Sequence, residues 1–225
     1  MRKNILCLAL LFAGSLQAQT IKFTVEGVVQ KVKNAKFAYL VSEAPVAGKP
    51  DLFLIKPMEG GVFKIPATCS LEGQLLRRGF IFLDERGDIT LDQVKSKIKQ
   101  KVWFVGGSAN LKSIYLENIK LDIENPYNLE PAKIIAGGVY LQQSKDAIQA
   151  LRDRKFLRYM KQNADSPIAL NELDNFVRFA AIPGFFKEFD FNSPVELYDA
   201  LSAPLKQSKE GVAIKKKIDE IIKKK

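Results

Sequence analysis

The chain reads as an α+β protein: an N-terminal antiparallel β-sandwich or barrel-like domain, then an α-helical C-terminal region. Three observations predict this. Up to Gly137, short runs alternate apolar and polar residues with turn signals between them. Beyond Gly137-Gly138 the apolar spacing lengthens to three and four, the period of an amphipathic helix. The 225 residues include no histidine and two cysteines, too few ligands for a structural zinc site.

Residues 1–18 read as a secretory signal peptide. Arg2 and Lys3 supply the positive start, Ile5 to Ala13 the apolar run, Gly14 and Ser15 the break, and Ala18 a small residue for cleavage. The run is too short to span a bilayer, which favours removal over anchoring. The mature chain is expected in the periplasm or at the cell surface.

A β-rich domain is assigned to residues 19–137. Ile21, Phe23 and Val25 alternate with Lys22, Thr24 and Glu26, a half-buried strand. Phe37 to Val41 reads as its hairpin partner across a polar turn at Lys33-Asn34. Asp51 to Ile55 and Val62 to Ile65 flank Glu59-Gly60-Gly61. Phe80 to Leu83 leads into the turn Glu85-Arg86-Gly87-Asp88, and Ile89 to Leu91 reads as a returning strand. Val102 to Val105, then Ile119, Leu121 and Ile123, then Lys133 to Ala136 complete the set. Many short strands of this kind favour a sandwich or barrel.

An α-helical domain is assigned to residues 138–225. Residues 140–162 predict one helix, with Ile148, Leu151, Leu157 and Met160 toward one side. Ser166-Pro167 predicts the start of another, because Pro at the first turn loses no hydrogen bond. Leu170, Leu173, Val177 and Ala180 form its stripe. Ser193-Pro194-Val195-Glu196 spells a capping box, followed by Leu197, Leu201 and Leu205. The last, Lys-rich segment places Ile214, Ile218, Ile221 and Ile222 on one face. Phe176, Phe179, Phe185, Phe186, Phe189 and Phe191 are expected to fill the core beside these helices.

The missing histidines exclude a Ser-His-Asp triad, a Cys-His dyad and a histidine metal cage. Loss of Cys7 with the signal leaves Cys69 alone, so no Cys-x-x-Cys pair remains. Cys69 reads as a buried small hydrophobe, with a reactive thiol as the alternative. No Lys or Arg adjoins it in sequence to activate it. Ser96-Lys97-Ile98-Lys99 matches Ser-x-x-Lys without its companion motifs. Gly106-Gly107-Ser108 lacks the lysine of a phosphate loop. Asp122 and Glu124 share a strand face with Lys120, which favours a solvated mixed-charge face over an acid/base pair. Glu85, Asp88 and Asp92 fit no calcium loop. Trp103 lies in a strand pattern and reads as core. No catalytic residue, metal or cofactor is expected.

The formal charge is +10, or +8 without Arg2 and Lys3. Export argues against nucleic acid as partner and leaves acidic envelope surfaces. Lys215, Lys216, Lys217, Lys223, Lys224 and Lys225 are the candidate contacts for an anionic surface, including lipid.

Three segments together resemble an exported family. They are Ile21 to Gly27, Gly61 to Ile65, and Asn163 to Leu170. The family is the domain of unknown function found N-terminal to thioredoxin-like thiol-disulfide oxidoreductases of the bacterial envelope. Leu197 to Gly211 looks like the helix leading into their catalytic domain. The resemblance implies an accessory domain without its thioredoxin partner, and no active cysteine carries over. The expected function is a non-enzymatic envelope module that binds another envelope protein. The alternative is an accessory factor in thiol-disulfide exchange, with Cys69 as its reactive thiol.

Overall fold

The computed structural model describes residues 20–32, 34–42, 52–99, 110–180 and 193–223. The signal segment, Trp103, the strand expected at Val102 to Val105, Gly106-Gly107-Ser108 and Phe185, Phe186, Phe189 and Phe191 lie outside the described residues. So do Asp51, Lys224 and Lys225.

The alternation at the start folds as predicted. Strand β1 (Thr20–Val29) turns Phe23, Val25 and Val29 inward and leaves Lys22 exposed. Its partners are not the expected ones. Strand β2 (Phe37–Ser42) does not return beside it but crosses to a second sheet. The reason is in its composition: Ala38, Tyr39, Leu40 and Val41 are all fully buried, so both faces of β2 need cover. A hairpin with the half-solvated β1 would have exposed one face.

Strand β3 (Phe53–Pro57) pairs antiparallel with β2. The Gly60-Gly61 turn then carries the chain back to the first sheet rather than closing a hairpin, and β4 (Val62–Ser70) pairs with β1. Strand β5 (Arg78–Asp84) joins the other side of β2, and β6 (Lys112–Tyr115), which the sequence pattern did not reveal, joins β5. Strand β7 (Ile119–Ile123) runs parallel to β1, and β8 (Lys133–Gly137) is antiparallel to β7. The first sheet has order β4-β1-β7-β8 and the second β3-β2-β5-β6. Their inner faces share one core, built on Val25, Leu40, Ile65, Ile81, Ile114 and Leu121. The predicted sandwich is therefore present, with one parallel pair inside it.

Ile89 to Leu91 is not a strand. Thr90 and Gln93 form a reciprocal cap: Thr90 N–H donates to Gln93 Oε1 at 2.8 Å, and Gln93 N–H to Thr90 Oγ1 at 3.3 Å. This opens helix α1 (Leu91–Lys99). Its Val94 covers Tyr39, Val41, Phe80 and Phe82 on the outer face of the second sheet.

The helical half contains α2 (Val139–Arg152), α3 (Phe156–Gln162), α4 (Pro167–Ala180), α5 (Pro194–Asp199), α6 (Ala203–Gln207) and α7 (Lys209–Lys223). The single helix expected over 140–162 is two, broken where Arg154 takes φ of 57°. Ile148 consequently faces solvent, and Ala147 is the buried residue of α2. The box at Ser193 forms as spelled, with Ser193 N–H donating to Glu196 Oε2 at 2.9 Å and Glu196 N–H to Ser193 Oγ at 3.2 Å. A second core holds Met160, Leu173, Phe176, Leu197, Ile214 and Ile218. Phe179 is 53% exposed and Ile222 is also exposed, so neither joins it.

The two halves meet at Glu117-Asn118, between β6 and β7. Helix α2 begins on Gly138, which has no side chain to cap it. Glu117 does so from outside the helix: Tyr140 N–H donates to Oε2 at 3.0 Å and Leu141 N–H to Oε1 at 3.1 Å. Gly138 N–H donates to the Asn118 carbonyl at 2.8 Å, and Thr24 N–H of β1 donates to Asn118 Oδ1 at 2.9 Å. Gly137 has φ of 62°, and a Cβ there would lie 2.1 Å from the Asn118 carbonyl oxygen. Gly60 has a similar φ of 57°, but nothing approaches its Cβ position within 4 Å. Gly60→Ala is thus expected to cost about 1 kcal/mol, the backbone term alone. Gly137→Ala must also displace the corner, at a cost of about 3 kcal/mol or more. Urea unfolding of the two variants measures the difference; equal losses would refute the role of the close approach.

Candidate functional site

Cys69 lies on the inner face of β4 and is 6% exposed. Its Sγ–H donates to the Ser70 carbonyl at 3.3 Å. Although no cation adjoins it in sequence, Arg77 returns across the Leu71 to Leu76 connection and places Nη1 3.1 Å from Sγ. The same Nη1 donates to the Ser70 carbonyl at 2.8 Å. Arg77 is itself 3% exposed. The guanidinium thus closes the end of the inter-sheet core over the sulfur.

The candidate lysines among the described residues, Lys215, Lys216, Lys217 and Lys223, sit on α7 among acids. Lys215 pairs with Asp219 and Lys217 with Asp174 of α4. Lys216 and Lys223 are exposed beside Glu220. The described end of α7 is therefore a mixed-charge surface rather than a uniform cationic one.

The other motifs are held apart. Ser96 lies exposed on α1. Asp122 accepts from Gln30 Nε2 at 2.6 Å, and Glu124 pairs with Lys31 at 3.0 Å. Glu85 accepts from the Tyr127 hydroxyl at 2.6 Å, Asp88 pairs with Arg86, and Asp92 pairs with Lys95. Among the described residues, no three Cys, Asp or Glu side chains are grouped to hold a metal ion.

Inside the helical half, Glu172 of α4 is buried and accepts from Ser144 Oγ at 2.9 Å, with Asn171 and Asn175 donating as well. The Tyr159 hydroxyl is buried nearby without a hydrogen-bond partner, and burial and then the Glu172 charge push its pKa well up. This cluster is a set of interior contacts between α2, α3 and α4.

One concave feature that gathers apolar and charged side chains is a groove of about 350 Å³ between α4, α7 and the connection at Gln74-Leu75-Leu76. Leu170 and Ile214, both buried, belong also to the helical core. Leu75 is held in place by its N–H, which donates to Glu210 Oε1 of α7 at 3.1 Å. Along α4 and α7 the groove runs into one charged trio. Arg178 donates to Asp174 Oδ2 through Nε at 2.9 Å and Nη2 at 2.6 Å, and Lys217 donates to Asp174 Oδ1. Burial alone would raise the Asp174 pKa. The hydrogen bonds from Lys217 and Arg178 outweigh it and hold the carboxyl below the usual carboxylate value. Sequence shows the i,i+4 pair Asp174 and Arg178. It does not show that Lys217, on a different helix, completes the trio.

No family model matches the chain, and no curated protein matches it.

Two outcomes follow from this geometry. Cys69 in the native protein is expected to react with a maleimide at least about a hundredfold more slowly than in urea, because access requires opening of the sandwich. Equal rates in the two conditions would place the thiol at the surface. The Asp174 carboxyl, held below its unfolded value, adds stability that is present above about pH 4 and is lost as pH falls through the folded value. Asp174→Asn should therefore cost about 1 kcal/mol at pH 7, the scale of a partly exposed ion pair. That cost should shrink toward zero in melts at about pH 2, where both proteins carry a neutral side chain. A cost independent of pH would refute the trio's contribution.

Proposed function

We propose that the chain is an exported, non-enzymatic interaction module of the cell envelope, and that the groove between α4, α7 and Leu75 is its contact surface. The observation that carries this reading is the groove's construction. It joins a connection from the β half to two helices, and it combines an apolar floor with a fixed charged group at one end. The acids and the thiol singled out by sequence are, in contrast, engaged one by one with separate neighbours. That arrangement supports contact over bond-making. The residues at the start of the chain support export, and among the described residues no helix is long and apolar enough to cross a membrane. Kinship with the accessory domains of envelope oxidoreductases belongs to the same proposal and rests on the short segments quoted for it.

A second reading, assistance to thiol-disulfide exchange, draws on the 3.1 Å approach of Arg77 to Cys69. The burial of both side chains weighs against direct exchange through this thiol and leaves a docking role, which uses the same groove.

Site-specific photo-crosslinking tests the main reading. A crosslinking residue replacing Gln74, at the groove rim, should capture one defined polypeptide in native envelopes. The same residue replacing Lys22, on the solvated face of the first sheet, should not. Identical capture patterns from the two positions would remove the groove from consideration.

A further inference from the structure

We propose that the groove receives the carboxyl-terminal end of an extended polypeptide. Its terminal carboxylate would meet Arg178 and Lys217, and an apolar side chain would lie against Leu75, Leu76 and Pro167. This rests on the reading of the groove as the contact surface and names what it contacts.

The first argument is charge. Asp174 places one negative charge between two positive ones, so the trio end keeps a net positive charge, while Glu210, which also lines the groove, spends Oε1 on the Leu75 N–H. The negative member is the inner one: its side chain is 17% exposed, against 69% for Arg178 and 44% for Lys217. What the trio offers to solvent is therefore cationic. Both cations also hold donors in reserve. Arg178 uses Nε and Nη2 on Asp174, which leaves Nη1 pointing away from that bond. Lys217 commits one of its three N–H groups. Asp174 fixes both side chains in advance, so little rotamer freedom is lost when an anion arrives. A carboxylate fits a guanidinium beside an ammonium, as a phosphate also does.

The second argument is position. Along α4 the trio lies one to two turns beyond Leu170, and Lys217 lies about one turn beyond Ile214 on α7. An anion bound there has the apolar lining of the groove toward the start of both helices. The volume, about 350 Å³, is at the small end of ligand clefts and suits a terminus rather than a folded surface.

The third argument separates a peptide from a fatty acid, which would bring the same carboxylate on an apolar tail. An acyl chain is best served by a wholly apolar wall. This wall carries the amides of Gln74 and Asn171 and the carboxylate of Glu210. Beyond the bonds Asn171 makes to Glu172 and Glu210 makes to Leu75, their remaining polar atoms and the Gln74 amide can meet a peptide backbone, whereas an acyl chain would desolvate them without a partner.

Isothermal titration of the mature chain, residues 19–225, supplies the test. The probes are an N-acetylated alanine-leucine-leucine tripeptide, its C-terminal amide, and dodecanoate. The free-carboxylate peptide should bind at least about tenfold more tightly than the amide. Arg178→Gln should remove most of that discrimination while lowering the melting temperature no more than Asp174→Asn does. Ala213→Trp, which fills the groove from an exposed position on α7, should abolish binding of both peptides. Equal affinity for peptide and amide, or preference for dodecanoate, overturns the inference; sensitivity to Ala213→Trp would then still support the groove as a surface. No peptide binding by a protein that crosslinks specifically from position 74 overturns the inference alone. No binding and no specific crosslink overturns both readings. Should Ala213→Trp fail to fold, the Arg178→Gln comparison decides by itself.

Discussion

A two-residue corner, Glu117-Asn118, is what makes one body of two cores. The sandwich core and the helical core share no central side chain. They are joined by backbone donors that would otherwise be orphaned at the start of α2 and along the β1 edge of the corner. The joint carries a cost as well. Burial raises the Glu117 pKa despite the N–H groups that face it, so the carboxylate is kept at some expense to hold the helix. The left-handed Gly137-Gly138 step lets the backbone come close enough for the corner to close.

From that joint the rest of the architecture follows. With α2 anchored at its N-terminus, α4 packs on it and α7 packs on α4. A second tie, from Leu75 N–H to Glu210, brings the β half against α7 from the far side. The groove exists because two ties of different kinds set the helices and the 74–76 connection at a fixed separation. Its charged end is likewise a by-product of packing, since Lys217 reaches Asp174 only when α7 lies along α4.

What the sequence reveals and what it hides divide along physical lines. Local signals were readable: the alternation in β1, the box at Ser193, and the change of period at Gly137-Gly138. Pairing was not, because alternation reports burial of a face and is silent on the neighbour. The unbroken apolar run Phe37 to Val41 was the available clue that β2 is covered on both faces and could not sit beside β1. The cap made by Thr90 and Gln93 was also spelled in the chain, but the apolar Ile89 and Leu91 around it imitate a strand. Residues that gather from distant segments left no trace: Arg77 over Cys69, Glu117 on α2, and Lys217 on Asp174. The groove belongs wholly to this last class.

The parallel pairing of β1 with β7 sets an order of events during synthesis. Val25 and Ile119 are neighbours in space but far apart along the chain, and everything between them must be made before they can meet. Until then the β1–β4 ribbon carries an open edge, the kind of template on which nascent chains mispair with one another. Glu26 is tied within that ribbon to Lys64 of β4, so its charge marks the β1–β4 register while the other edge is still open.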